Sequence, residues 1–427
     1  MEKKFLQNYF FLLFSIIPIS IIIGPAISLI NILLIDLSFI IFILYTKKSD
    51  ILNHPIVRIL IILYIYLIFN SLIALDFSLS VTRNFGFIRF IILFLAINYF
   101  FLNKKNIDFL LKFWFLVILF VLIDSYIEII FGKNTLGYEK IYGERVVSFF
   151  KDEPIVGAYL LGFILLLSGY LFKNFENKNL FFKTLTIITI FLFITCVLLT
   201  GERSNTLKIF FGFFLFFIFN HYLNLKFKIY VISIFFLFLS FAFLSSDYLK
   251  LRYSDQLLRL LLTKDIKDLS KNIDLIYRNK EKRIEFYNKN VYLKIYRSGI
   301  EVFQNYPIFG VGNKNYRVEA CDRDKINKHY YCITHPHQVY IEFLAEHGLF
   351  GTFILLAILF YLIFRYLKII MLSKNLIQQG SFIYLIINFL PILPSGSFFS
   401  DFNSTLFWIN LSIMYASNPD TNIFRKK

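Results

Sequence analysis

Two of the six histidines, His335 and His337, stand together immediately before an apolar stretch, in the sequence Thr334-His-Pro-His-Gln-Val-Tyr340. A neutral imidazole suits general base catalysis, because its unperturbed pKa of about 6.5 lies near the working pH. A metal site formed with a nearby carboxylate is the alternative. Two histidines without a further His/Cys set are a weak pattern for zinc, however. We therefore expect base chemistry from His337 and His335, and no metal.

Arg203 is the second residue whose type and position could contribute to a reaction. It lies in Leu199-Thr-Gly-Glu-Arg-Ser-Asn205, where one apolar stretch ends and the next begins with almost no loop between them. One interpretation is an arginine that snorkels to the membrane interface and pairs with Glu202. The other is a fixed guanidinium that binds phosphate in a bidentate manner.

A glycine-containing segment, Tyr306-Pro-Ile-Phe-Gly-Val-Gly-Asn-Lys-Asn-Tyr316, precedes the histidines. It has neither the third glycine nor the preceding strand of a dinucleotide site, so we reject that function. The segment predicts a tight turn that returns the chain toward the membrane.

The elements that position these residues are apolar helices. Of the 427 residues, 58% are hydrophobic, and the mean hydropathy of +0.66 excludes a soluble protein. About 12 stretches are long enough to cross a bilayer, which predicts an all-α polytopic membrane protein with about 12 transmembrane helices. They fall at residues 6–23, 26–45, 56–75, 84–102, 108–131, 154–172, 181–200, 205–222, 227–245, 339–364, 376–394 and 403–417.

The distribution of Lys and Arg predicts the orientation. With the N-terminus inside, every inner segment is basic and the outer connections are poorer in Lys and Arg, so both termini are expected in the cytoplasm. The predicted organisation is then helices 1–9 over 1–245 with a short periplasmic segment near 132–153, a periplasmic loop domain over 246–338, and helices 10–12 over 339–427.

The large loop carries about +7 of the formal net charge of +17. Leucines at helical spacing from Leu257 to Leu269 make it partly helical, either as a helix lying on the bilayer or as a basic cap that attracts an anionic substrate. Cys321 and Cys332 fall in this loop, and in an oxidising periplasm we expect them to form a disulfide.

Four ionisable residues fall within predicted spans: Asp36, Arg89, Asp124 and Glu128. They are few, and most lie toward the outer side. This arrangement favours an externally opening cavity over a route through the bilayer.

The ordered motifs resemble the O-antigen ligase and polymerase family of bacterial membrane glycosyltransferases. The similarity covers about 145–352 with gaps. It rests on Gly143-Glu-Arg-Val-Val-Ser-Phe-Phe-Lys-Asp-Glu153, Gly201-Glu-Arg-Ser204, Asn305-Tyr-Pro-Ile-Phe-Gly-Val-Gly312 and His335-Pro-His-Gln-Val-Tyr-Ile-Glu-Phe-Leu-Ala-Glu-His-Gly-Leu-Phe-Gly351.

The resemblance implies an inverting, metal-independent transfer of a glycan from undecaprenyl diphosphate to a sugar hydroxyl, at the periplasmic face of the inner membrane. The implied partners are the lipid-linked donor, a lipid A core or lipid-linked glycan acceptor, and membrane lipids, without nucleic acid or a cofactor. We prefer a ligase to a polymerase. A transporter is the competing class, but the sequence has no inverted repeats.

Carried over by position, His337 deprotonates the acceptor and Arg203 neutralises the diphosphate. Gln338 replaces the family's usual asparagine. Tyr292 stands where the family commonly has a second arginine, which leaves Arg283 and Arg297 as candidates for that diphosphate-binding role.

Overall fold

The computed structural model describes residues 2–47, 52–101, 104–141, 145–173, 175–226 and 228–230, a few positions from 231 to 253, and then 291–322 and 329–425. Most of the predicted span at 227–245, the Leu257 to Leu269 stretch and Arg283 lie outside the described residues.

The described chain is helical, as predicted, and most of its long helices coincide with predicted spans. The helices are α1 (Glu2–Ile23), α2 (Pro25–Thr46), α3 (Pro55–Leu72), α4 (Phe77–Gly86), α5 (Ile88–Phe100), α6 (Lys104–Phe131), α7 (Val156–Leu171), α8 (Leu180–Leu199), α9 (Arg203–Phe219), α10 (Val291–Asn305), α11 (Tyr316–Ala320), α12 (Val339–Phe364), α13 (Leu367–Leu372), α14 (Leu376–Ile387) and α15 (Asp401–Ala416).

Among the described residues, six helical segments are long and apolar enough to cross a membrane: Pro25–Thr46, Pro55–Leu72, Phe77–Phe100, Asn106–Phe131, Leu180–Leu199 and Val339–Leu372. Three shorter apolar helices cover Gln7–Ile23, Val156–Leu171 and Leu376–Ile387. The total of about 12 transmembrane helices remains a prediction.

Large apolar side chains on the outer faces of the helices are exposed. Leu44 is 72% exposed, Phe181 70% and Phe353 74%. Contiguous apolar surface of this kind is unfavourable in water and natural in lipid. The interior is also apolar, with Trp114 and Trp408 fully buried, so the polar groups buried among these helices stand out against their surroundings.

The carboxylates predicted at the outer end of α6 hold the segment that follows it. Glu128 accepts hydrogen bonds from the backbone N–H groups of Val147 (3.0 Å) and Ser148 (2.6 Å). Asp124 accepts from the Ser148 hydroxyl (2.5 Å) and from the backbone N–H of Thr135 (2.9 Å). These bonds fix both ends of the 132–153 segment against the helix bundle.

Arg89 also has a structural partner. Both Arg89 and Arg83 form ion pairs with Asp401, the first residue of α15. The pairs connect α4 and α5 to the start of α15, directly after the loop at residues 391–400. Both Asp36 carboxylate oxygens are buried and have no hydrogen-bond partner among the described residues.

Candidate active site

The two strongest sequence motifs bond to each other through their backbones. Helix α12 is interrupted at Gly348, whose φ of 62° is unfavourable for any residue with a side chain. The break frees the N–H groups of Leu349 and Phe350 to donate to the carbonyls of Pro307 (2.8 Å) and Ile308 (3.1 Å). Returning bonds run from Val311 N to Ala345 O (3.0 Å) and from Gly312 N to Glu346 O (2.9 Å). The predicted turn therefore docks onto the helix that follows the histidines.

The backbone fixes the histidine pair at the start of this helix. Gln338 caps α12, and its side-chain oxygen accepts from Ile341 N at 2.9 Å. His337 has a φ of 53°, and its carbonyl accepts from Ser395 N at 2.8 Å. The two imidazole ring centres lie 4.0 Å apart. The rings are thus held together at one end of the bundle.

Both imidazoles favour the neutral form. Burial, the neighbouring His337 and the Lys314 charge together lower the pKa of His335 to about 3. Burial also lowers the pKa of His337, against a hydrogen bond with the Ser395 backbone that raises it. Both rings are therefore available as proton acceptors at neutral pH.

The 391–400 loop connects the histidines to the other predicted site residues. Its residue Ser395 bonds to His337, and its Pro394 carbonyl accepts a hydrogen bond from the hydroxyl of Ser204, which adjoins Arg203. Its Ile392 carbonyl accepts from the Tyr296 hydroxyl of α10 at 3.0 Å. The loop thereby brings the beginnings of α9 and α12 and the helix α10 to one place.

Buried polar groups beneath the histidines hold the same loop. Glu342 is fully buried and accepts from the Ser397 hydroxyl (2.5 Å) and from Phe398 N (3.0 Å). The Lys314 ammonium donates to the Ser397 hydroxyl at 3.3 Å. Glu346, one helical turn further along α12, accepts weakly from Tyr316 N at 3.4 Å through one oxygen, while its other oxygen has no partner among the described residues.

The arginine side of the site is organised by Glu202. This buried carboxylate accepts from the N–H groups of Gly157 (2.6 Å) and Ala158 (3.1 Å) at the start of α7, and from the Asn205 side chain (2.6 Å). A Cβ atom at position 157 would lie only 2.9 Å from Glu202 Cδ, so glycine is required for this close approach. Burial raises the pKa of Glu202 to about 7, against these hydrogen bonds and the charge of Arg145.

Arg203 itself begins α9, and its hydrogen bonds are incomplete. Glu202 directs its carboxylate to the backbone of α7 and not to the neighbouring guanidinium. The Nη1 atom of Arg203 is buried and has no hydrogen-bond partner among the described residues. A buried cationic donor without an acceptor is rare in folded proteins, which makes Arg203 a candidate for binding an anion.

The other predicted site residues lie on α10 and in the loop after it. Arg297 Nη2 lies 3.1 Å from His329 Nε2. The ring of Tyr292 lies 6.3 Å from that of His337, edge to face. Cys321 and Cys332 are joined by a disulfide. Together these contacts place α10 and the disulfide loop beside the histidines.

Several residues of this site had no sequence signal strong enough to identify them. Ser395 and Ser397 lie in a loop whose sequence predicts only a connection between two spans. Lys314 was visible within the glycine-containing turn, but its location beside Ser397 depends on contacts between distant segments. Within the ranges that the structure describes, no group of three or more His, Cys, Asp or Glu side chains is arranged to hold a metal ion.

Helices with apolar outer faces, and a polar site built from the loops at one end, define a multi-pass membrane protein. Residues 188–356 match the family model for O-antigen ligase. This confirms the resemblance found in the motifs, and the matched segment contains Arg203, Tyr292 and both histidines. No curated protein matches the chain.

Proposed function

We propose that this protein transfers a glycan from undecaprenyl diphosphate to a sugar hydroxyl, at the periplasmic face of the inner membrane. The preferred reaction is ligation of O-antigen to the lipid A core of lipopolysaccharide. The family match supports a glycosyl-transferring membrane protein with a role in O-antigen ligation or polymerisation. The donor, the acceptor and the orientation in the membrane are parts of the proposal.

One structural observation carries the proposal. Polar atoms that are buried but have no partner among the described residues gather around the 391–400 loop. They are Arg203 Nη1, His335 Nε2 and Ser395 Oγ. Because buried polar atoms are nearly always hydrogen-bonded, a cationic donor, an imidazole nitrogen and a hydroxyl grouped in this way indicate a polar, anionic ligand.

The proposed reaction is a single displacement. The neutral imidazole of His337 accepts the proton of the acceptor hydroxyl as that oxygen attacks the anomeric carbon of the donor sugar. The bond from this carbon to the diphosphate oxygen breaks, and undecaprenyl diphosphate leaves with the bonding electrons. Attack opposite the leaving group inverts the anomeric configuration.

Arg203 stabilises the charge that develops on the departing diphosphate. A guanidinium fixed at the end of a helix matches the geometry of phosphate oxygens, and in a partly buried site its effect exceeds that in water. On this basis, we propose that charge neutralisation is provided by arginine and that the reaction is independent of metal. His335 supports His337 as the second ring of the pair.

The lipopolysaccharide of a deletion strain distinguishes the two branches of the family. Loss of a ligase leaves long glycan unattached on the lipid carrier, whereas loss of a polymerase leaves a core that bears a single repeat. We expect the first result, restored by the wild-type gene and not by a His337→Ala gene. Normal lipopolysaccharide in the deletion strain would contradict both functions.

A further inference from the structure

Arg145 lies on the outer segment after α6 and has the same unusual property as Arg203. Its Nε atom is buried and has no hydrogen-bond partner among the described residues. Its backbone is well fixed, with reciprocal hydrogen bonds to Ile141 of 2.8 and 3.0 Å. A positioned backbone with an unpartnered guanidinium nitrogen is the arrangement expected of a ligand-binding arginine.

The carboxylates of α6 determine where Arg145 is placed. Two residues after Arg145, the N–H of Val147 donates to Glu128 at 3.0 Å. The same end of α6 is bonded to α8, because the Tyr126 hydroxyl donates to the Leu192 carbonyl at 2.8 Å and contacts the Thr195 hydroxyl at 2.5 Å. Helix α8 leads directly to Glu202 and Arg203, so the Arg145 segment is attached beside them.

Glu202 is associated with both arginines. It adjoins Arg203 in sequence, and the Arg145 guanidinium is close enough for its charge to act on the Glu202 carboxylate. That carboxylate accepts hydrogen bonds from the N–H groups of Gly157 and Ala158 at the start of α7. The helix N-terminus is therefore already neutralised, whereas Arg145 Nε and Arg203 Nη1 are buried donors without a partner among the described residues.

We propose that Arg145 is the second diphosphate-binding residue and forms, with Arg203, a two-arginine clamp for the pyrophosphate of the lipid carrier. This inference rests on the proposed function. It assigns the position that Tyr292 leaves without an arginine, for which the sequence offered only Arg283 and Arg297. Each arginine binds one phosphate group, and Glu128 positions Arg145 through the backbone of Val147.

Binding of undecaprenyl diphosphate and undecaprenyl monophosphate to the purified full-length protein in nanodiscs tests this assignment. We expect Arg145→Ala to weaken diphosphate binding by about tenfold or more and to leave monophosphate binding within about twofold, since one charge-assisted contact is lost. The matched control is Lys133→Ala, which removes a cation from the same segment where its ion pair with Glu139 is exposed. The control should bind both lipids as the wild type does.

Three outcomes would overturn the clamp: unchanged diphosphate binding in Arg145→Ala, equal weakening toward both lipids, or an equal loss in Lys133→Ala. If Arg145→Ala does not fold, Arg145→Lys replaces it. That variant keeps the charge but not the guanidinium, so affinity equal to wild type also overturns the assignment. The two proposals can also fail separately. If diphosphate binding depends on Arg145 but the wild-type protein does not transfer glycan, the proposed reaction is wrong and the clamp is still supported.

Discussion

The histidine side and the arginine side of the site are built in opposite ways. On the histidine side, backbone bonds hold desolvated rings that are neutral at pH 7, and Glu342 secures the adjoining loop. On the arginine side, Glu128 and Glu202 direct their hydrogen-bonding capacity to backbone N–H groups and leave guanidinium atoms of Arg145 and Arg203 unpaired. In the proposed reaction, this difference corresponds to a separation of roles, with proton transfer on one side and anion binding on the other.

The largest effect is expected at His337. His337→Ala should lower the transfer rate by about 10²- to 10⁴-fold, the range typical of a lost general base. Donor binding should remain, because the guanidinium groups are untouched. Quantified transfer by purified protein, with thermal unfolding as the control for folding, measures both. Wild-type transfer by this variant would remove His337 from the proposed role.

A smaller effect, of a different kind, is expected at Arg203. Arg203→Ala should weaken donor binding and slow transfer, each by about tenfold or more, since it removes a charged hydrogen-bond donor. Arg203→Lys should restore part of the lost binding and rate, because lysine keeps the positive charge but lacks the planar set of guanidinium donors. Steady-state kinetics at several donor concentrations separate the two effects. Unchanged kinetics in Arg203→Ala would support the snorkelling interpretation.

The sequence predicted the histidine side better than the arginine side, for a physical reason. His335, His337, Gln338 and the start of α12 are contiguous, so local spacing carries the information. The proposed pairing of Arg145 with Arg203 depends on the bonds of the α6 carboxylates and on the α6–α8 contact, which are long-range interactions without a periodic signal. Helix positions were predictable from apolar stretches, but the number of spans that cross the membrane is not established by those stretches.

The loop that connects the two sides can be weakened separately. Glu342→Ala leaves the Ser397 hydroxyl and the Phe398 N–H without their buried acceptor, which should cost about 1–3 kcal/mol of stability. Transfer should fall moderately, because the same loop bonds to His337. Thermal unfolding in one detergent measures the loss, with the exposed Glu153→Ala as the control. Equal stability of the two variants would mean that the loop is held by other contacts.

The smallest effect distinguishes the two histidines. The pKa of His337 is lowered, so its neutral, basic form persists as the pH falls below 6.5. This form is lost only when the pH reaches the lowered pKa. The acid limb of the kcat/KM profile should therefore lie below pH 6.5. The Lys314 charge lowers the pKa of His335, whereas burial and the Ser395 backbone determine the shift of His337. Lys314→Met should therefore leave the limb in place. A limb that moves to higher pH would identify His335 as the base.

The separation of roles is tested most directly by measuring donor binding and transfer on the same protein preparations. Equilibrium binding of undecaprenyl diphosphate and single-turnover glycan transfer would be compared for wild type, His337→Ala and Arg203→Ala. We predict that His337→Ala binds as the wild type does and fails to transfer, whereas Arg203→Ala binds at least about tenfold more weakly. Equal loss of binding in both variants, or normal binding in Arg203→Ala, would contradict the account.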